Sequence, residues 1–211
     1  MKIVIGIDEV GRGPLAGPVV VACVALPSSF LLTTKNYKLK TSLKTPCPLR
    51  DSKKLTEKQR TAWYAWIKKQ PSIKYTSARC TPRTIDIINI TKAANCAAER
   101  AYQKLLTLLP LKTNNYKLKT LLDAGLRLPK HITQKSIIKG DEKIPAIALA
   151  SILAKVARDA YMERMHKRYP HYSFNKNKGY GTATHSKTLK RHGPCPLHRL
   201  TFIRKILNPN I

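Results

Sequence analysis

Only 11 of the 211 residues are Asp or Glu, so the placement of each acid is informative. Asp8 and Glu9 stand side by side at the end of an Ile- and Val-rich run, and Asp123 and Asp141 each close a later apolar run. Carboxylates gathered at strand ends repel one another, and repel polyanions, unless cations sit between them. Mg²⁺ and Mn²⁺ prefer oxygen ligands, and a carboxylate cluster is how a nuclease holds two such ions. An Asp after a strand is also a common turn or helix-cap residue, so each acid alone is ambiguous and the combination carries the reading. Adjacent strand residues point to opposite faces, so Asp8 and Glu9 can share a site only where the strand ends or bulges. Gly11 and Gly13 are close enough to permit that.

The elements that must position these acids are legible from periodicity. Lys2 to Asp8 and Val19 to Leu26 read as two strands of a hairpin around the Gly- and Pro-rich turn of residues 11 to 18. Thr56 with Gln59 forms a capping box, and Ala62, Trp63, Trp66 and Ile67 recur at helical spacing, giving a helix over 57 to 70. Ile73 to Arg79 reads as a third strand. Thr81-Pro82 opens a helical region that breaks near Asn89 and runs to about Leu109. Leu118 to Asp123 and Ser136 to Lys139 are short apolar runs, and the Ala-rich segment from Pro145 is helical, stopping before Pro170. Residues 31 to 50 form a basic stretch without periodicity, expected as a surface loop. The hexapeptide at 36 to 41 recurs at 115 to 120, but nothing around it repeats.

The 40 Lys and Arg leave a formal charge of +29, which favours a polyanionic partner and above all nucleic acid. Charge alone would equally suit a noncatalytic basic nucleic-acid-binding protein; the four acids argue against that. Five cysteines, without any C-x-x-C pair, suggest neither a disulfide framework nor a zinc ribbon, and a reduced, cytoplasmic protein is expected. His192, Cys195 and His198 are the only tight soft-ligand cluster, and the intervening Gly and Pro read as a turn instead. There is no signal-peptide pattern, and the run from Pro18 to Pro27 falls short of the ~20 residues a membrane helix needs. Gly11, Gly13 and Gly17 do not make a dinucleotide fingerprint, because Ala16 stands where the third Gly belongs.

The stretch Gly6-Ile7-Asp8-Glu9-Val10-Gly11-Arg12-Gly13-Pro14-Leu15-Ala16-Gly17-Pro18-Val19-Val20 resembles the signature of type 2 ribonucleases H. Further motifs follow in matching order: Asp51-Ser52-Lys53-Lys54-Leu55, Leu122-Asp123, Lys139-Gly140-Asp141, residues 150 to 159, Gly179-Tyr180-Gly181-Thr182 with His185, and Gly193-Pro194 with His198, Arg199 and Phe202. Together they span residues 6 to 202.

The resemblance implies an α/β fold, a ribonuclease H-like central mixed sheet flanked by helices, with residues 1–170 as the catalytic domain and 171–211 as a helical substrate-binding extension of the same unit. It implies hydrolysis of the RNA strand of RNA/DNA hybrids and nicking 5′ of ribonucleotides embedded in duplex DNA, by two-metal catalysis with Mn²⁺ or Mg²⁺, in a monomer. Carried over by position, Asp8, Glu9, Asp123 and Asp141 are the metal-binding catalytic carboxylates. Gly11, Arg12 and Gly13 contact the RNA strand around its 2′-hydroxyls, and Tyr180 packs at the junction from ribonucleotide to DNA. Ser52 and Lys53 suit phosphate contact. Asp159, in mid-helix beside Arg158, reads as an ion-pair or packing residue and not as the fourth carboxylate. The chain departs from the pattern at Asp123-Ala124-Gly125, where many relatives have Asp-Gly.

Overall fold

The computed structural model describes residues 2–27, 30, 44–110 and 117–208. Most of the basic stretch 31 to 50 and the first copy of the hexapeptide lie outside the described residues. The strands are β1 (Lys2–Val10), β2 (Val19–Pro27), β3 (Lys74–Cys80), β4 (Lys117–Asp123) and β5 (Gln134–Ile137). They form one mixed sheet in the order β3-β2-β1-β4-β5. The first three pair antiparallel, and β4 and β5 extend the sheet from β1 in parallel.

Alternation along the strands sorts side chains to two faces. Ile3, Ile5, Ile7, Val19, Val21 and Cys23 face one side, where they meet the small residues Ala94, Ala97, Ala98 and Ala101 of helix α3 (Ile90–Leu106). Val4, Val20, Ala22 and Val24 face the other, against helix α1 (Glu57–Lys68) and the long helix α5 (Pro145–Arg168). Trp63 of α1 is fully buried there, and its truncation to Ala would cost about 3 to 5 kcal/mol. Helix α5 crosses β1 in backbone contact: a Cβ on Gly6 would lie 2.1 Å from the Ala146 carbonyl carbon, so only glycine fits.

The expected break near Asn89 separates α3 from the preceding helix α2 (Pro82–Ile88). Asn89 takes φ 64° and its side chain accepts from Lys92 N at 3.0 Å, capping α3. The expected capping box at Thr56 and Gln59 is present on α1. One expectation is corrected. Asp141 does not close a strand but lies in the first turn of a short helix, α4 (Gly140–Lys143), beyond the end of β5. Lys139, at φ 54°, turns the chain there, and Gly140 packs so closely on Ile147 that a Cβ would lie 2.7 Å from its Cδ1.

After α5 come three further helices, α6 (Phe174–Asn177), α7 (Ala183–His192) and α8 (Leu200–Leu207). Tyr172, Phe174, Leu189, Leu197 and Ile203 pack with Met162 of α5 and with Ala16 in the β1–β2 turn. The C-terminal helices are thereby docked on the turn that follows Asp8 and Glu9.

Candidate active site

The β1–β2 ladder continues without a bulge to Val10, paired with Val20, but the β1–β4 ladder stops at Ile7 and Leu122. Asp8, Glu9 and Asp123 are the next residues on the two strands, so they stand where the sheet opens. This is how neighbours on opposite strand faces come to one edge. The Asp123 carboxylate accepts from Gly140 N at 2.7 Å, which brings α4 and with it Asp141 to the same edge. Burial pushes the Asp8 carboxyl well above its ordinary range, and the charges of Glu9 and Asp123 add to this. Burial raises Glu9 too, against the opposing effect of Arg12. Asp141 is pushed up to about 6 by burial and by the charges of Asp51 and Asp123.

Asp51 is a fifth acid of this cleft, beyond the four expected from sequence. Its side chain accepts from Lys53 N at 2.9 Å and caps the single turn Ser52–Lys54, which aims Lys53 at the carboxylates. Partial burial works against the Lys53 charge, yet Asp51, Asp141, Asp8 and Asp123 together hold its ammonium above the usual value. Ser52 departs from expectation: its hydroxyl is buried and lies 2.8 Å from the Ser151 hydroxyl of α5, turned to the interior and not to a phosphate. Ser151 in turn favours the ionised form of Asp8, against the larger effect of burial. Asp51 and Ser151 both sat within recognised motifs; which motif residues face the cleft could be told only from the packing of α5 on β1.

Arg12 pairs with Glu9 and donates from Nη2 to Gly125 O at 2.7 Å, so one side chain bridges the end of β1 and the turn after Asp123. Gly11, at φ 97°, has no room for a Cβ beside the Arg158 guanidinium, while a Cβ on Gly13 would meet nothing within 4 Å. The face of Gly13 is open to an incoming ligand. Tyr180 sits just beyond Lys178 and Gly179, at φ 48° and 86°, and is 43% exposed, unusual for an aromatic ring held in a defined turn.

Asp159 pairs with Lys155 at 2.8 Å, away from the cleft acids. His192 stacks on His171 and His198 is buried, with its Nε2 3.0 Å from the Nε2 of His185, so His192, Cys195 and His198 do not converge. Cys195 N donates to His198 Nδ1 at 3.0 Å, which makes His198 Nε2 the donor of the pair, while His185 Nδ1 donates to Tyr180 O at 2.8 Å.

As the side chains stand, no three His, Cys, Asp or Glu residues among the described residues are close enough to share one metal ion. The donor set nevertheless fits a hard divalent cation: it is all oxygen, its acids crowd one another, and Glu9 Oε2 is buried without a hydrogen-bond partner among the described residues. Such an orphaned acceptor needs a cation or a proton.

The family model described as ribonuclease HII matches residues 5–205. A ribonuclease HII of Caldanaerobacter subterraneus subsp. tengcongensis is 42% identical over 208 residues, covering 98% of this chain and 76% of that protein. Among solved structures, the ribonuclease H2 of Pyrococcus horikoshii OT3 superposes with a TM-score of 0.63 at 23% identity, covering 98% of both chains. Bst-RNase HIII in complex with Mn²⁺ superposes with a TM-score of 0.68 at 16% identity, over 95% of this chain and 67% of that one. The chain belongs to the ribonuclease HII family, and is a metal-dependent endoribonuclease acting on RNA/DNA hybrids.

Proposed function

We propose that the protein nicks duplex DNA on the 5′ side of single embedded ribonucleotides, besides cutting RNA in hybrids, and leaves 5′-phosphate and 3′-hydroxyl ends. The observation that carries this reading is the joining of an acid cleft to two non-catalytic contact elements, the Gly11-Arg12-Gly13 loop, open at Gly13, and the exposed Tyr180 ring. The loop senses a 2′-hydroxyl, the one group that distinguishes RNA from DNA at a site. Tyr180 packs against the deoxyribose that follows. One ribonucleotide then contains everything the site reads.

Asp8, Glu9, Asp123 and Asp141 would hold two divalent ions, Mn²⁺ or Mg²⁺; the Mn²⁺ complex of the similar Bst-RNase HIII supports the choice. Bound there, such ions supply an activated water and stabilise the leaving 3′-oxygen. The chain's own part is positional. Arg12 holds Glu9 and the Asp123 turn at a fixed separation, Ser151 orients Asp8, and Lys53 presents an ammonium for a substrate phosphate. Residues 171–211 act as the substrate-binding extension, and the +29 charge attracts the duplex backbone. The working form is a cytoplasmic monomer; no helix of the described residues is long and apolar enough to cross a membrane.

The test is incubation of the purified chain with a DNA duplex carrying one ribonucleotide, with Mg²⁺, with Mn²⁺, and with neither. A metal-dependent nick 5′ of the ribonucleotide is expected. Cleavage confined to long RNA tracts would overturn the reading.

A further inference from the structure

The Gly11-Arg12-Gly13 loop and the Tyr180 turn lie outside the sheet and the longer helices, yet two arginines gather their carbonyls. Arg158, in α5, donates from Nε to Pro18 O at 3.1 Å, from Nη2 to Ala16 O at 3.1 Å, and from Nη1 to Lys178 O at 2.9 Å. Its guanidinium carbon lies 5.7 Å from the Tyr180 ring centroid. Arg199, at the start of α8, donates from Nε to Gly17 O at 3.0 Å, from Nη1 to Arg12 O at 2.7 Å, and from Nη2 to Gly11 O and Gly17 O at 2.6 and 2.9 Å. Both side chains are wholly buried, and neither forms a salt bridge among the described residues.

Burying a guanidinium is costly, and here carbonyl dipoles take the place of a counter-ion. A hydrophobic side chain would serve a purely structural purpose at lower cost. What the planar, rigid donor fork provides in addition is fixed spacing between the groups that it binds. The two elements also touch directly: Leu15 N and Ala16 N both donate to Gly179 O, at 2.8 and 3.2 Å. A Cβ on Gly179 would lie 2.3 Å from Ala16 O.

We propose that Arg158 and Arg199 are positioning residues for single-ribonucleotide recognition, setting the separation of the Gly11-Arg12-Gly13 loop from the Tyr180 ring. The proposal rests on the roles assigned above to those two elements. A lone ribonucleotide offers the site one register, whereas a long hybrid offers one at every nucleotide. Loss of the correct spacing therefore costs the first substrate more than the second.

The experiment compares Arg158→Lys, Arg199→Lys and Gly179→Ala with wild type, each assayed on a single-ribonucleotide duplex and on an RNA/DNA hybrid at one Mn²⁺ concentration. The lysines keep the charge and lose the fork; the alanine wedges the two elements apart and leaves both arginines in place. Misplacement by about 1 Å is expected to lower kcat/KM at least about 30-fold on the single ribonucleotide and less than about 5-fold on the hybrid. Equal losses on both substrates, or no loss on either, would overturn the proposal. Unfolding of all three variants in circular dichroism would also overturn it, since the arginines would then be scaffold alone. Tyr180→Ala is run alongside. If it leaves the substrate ratio at the wild-type value, the assigned roles of ring and loop fail and the proposal falls with them; if it shifts the ratio and the other three variants do not, the proposal alone fails.

Discussion

Around Asp8 the protein buries acids beside acids, whereas around Arg199 it buries cations among carbonyls. In the first region the acids outnumber their cationic partners Arg12 and Lys53: Glu9 Oε2 has no partner among the described residues, and Asp8, Glu9 and Asp141 are all displaced toward their protonated forms. In the second every nitrogen of the Arg199 guanidinium has an acceptor. The difference is one of purpose. A site that must take up cations keeps its repulsion in reserve and relies on the packing of α5, β1 and β4 to hold it together. A site that must hold still gives each guanidinium nitrogen an acceptor.

The most severe way to break this contrast is to remove one acid. Asp8→Asn should lower the hydrolysis rate on the order of 10³-fold, while hybrid affinity in a filter-binding assay stays near wild type, because the basic surface is untouched. Wild-type rates would show that the cleft is not where the chemistry happens.

Next in size is the exposed ring that the second region supports. Tyr180→Ala should lose about 10- to 100-fold on a single-ribonucleotide duplex, the scale of about 1 to 3 kcal/mol for a lost stacking contact, and Tyr180→Phe should lose less. Equal nicking by wild type and Tyr180→Ala would remove the ring from recognition.

Smaller effects concern stability without metal, where the two regions should respond to pH in opposite directions. Asp141 is raised from 3.8 to about 6 on folding, so the stability tied to it is fully present below its unfolded value and is lost as pH rises through about 6. Asp141→Asn should therefore raise the Tm of the metal-free protein by a few degrees at pH 7.5 and leave it unchanged at pH 4. Added Mn²⁺ should raise the wild-type Tm more than that of the variant. Identical melting curves across pH 4 to 7.5 would dispose of the strain assigned to Asp141.

The last prediction is the mirror image. Burial and the neighbouring His185 lower His198 from 6.5 to about 4, so its contribution is present above 6.5 and is lost as pH falls through 4. Urea unfolding should become easier across that interval in wild type and less so in His198→Gln. A wild-type midpoint that changes across that interval no more than that of His198→Gln would mean that the imidazole pair carries no such penalty.

The strands and helices were largely legible in the sequence because their signals are local. Alternating Ile and Val in β1, the Thr56 capping box and the Thr81-Pro82 start of α2 each act within a few residues. Asp8, Glu9 and Asp123 were legible as acids at strand ends. That they meet depends on where the β1–β4 ladder stops, a matter of register between segments far apart in the chain. Asp141 was misplaced relative to β5 because the left-handed Lys139 leaves no mark in composition. Ser52 looked like a phosphate contact since nothing nearby reveals its partner Ser151, 99 residues on. Arg158 and Arg199 stood within motifs of the resemblance without an assigned role, and only their burial and their carbonyl partners supply one.

The bond from Arg199 to Gly11 closes a span of 188 residues, so it cannot form until synthesis has passed Arg199. Contacts at such separation are late in folding, because chain closure must be complete before they contribute. The segments that bear Asp8, Asp123 and Asp141 leave the ribosome earlier, along with α5, which packs over β1. On the roles proposed above, the cleft acids come together before the bonds that set the spacing of the loop and the Tyr180 ring. A copy clipped ahead of Arg199 should then keep much of its cleavage of long hybrids and lose most of its nicking at single ribonucleotides.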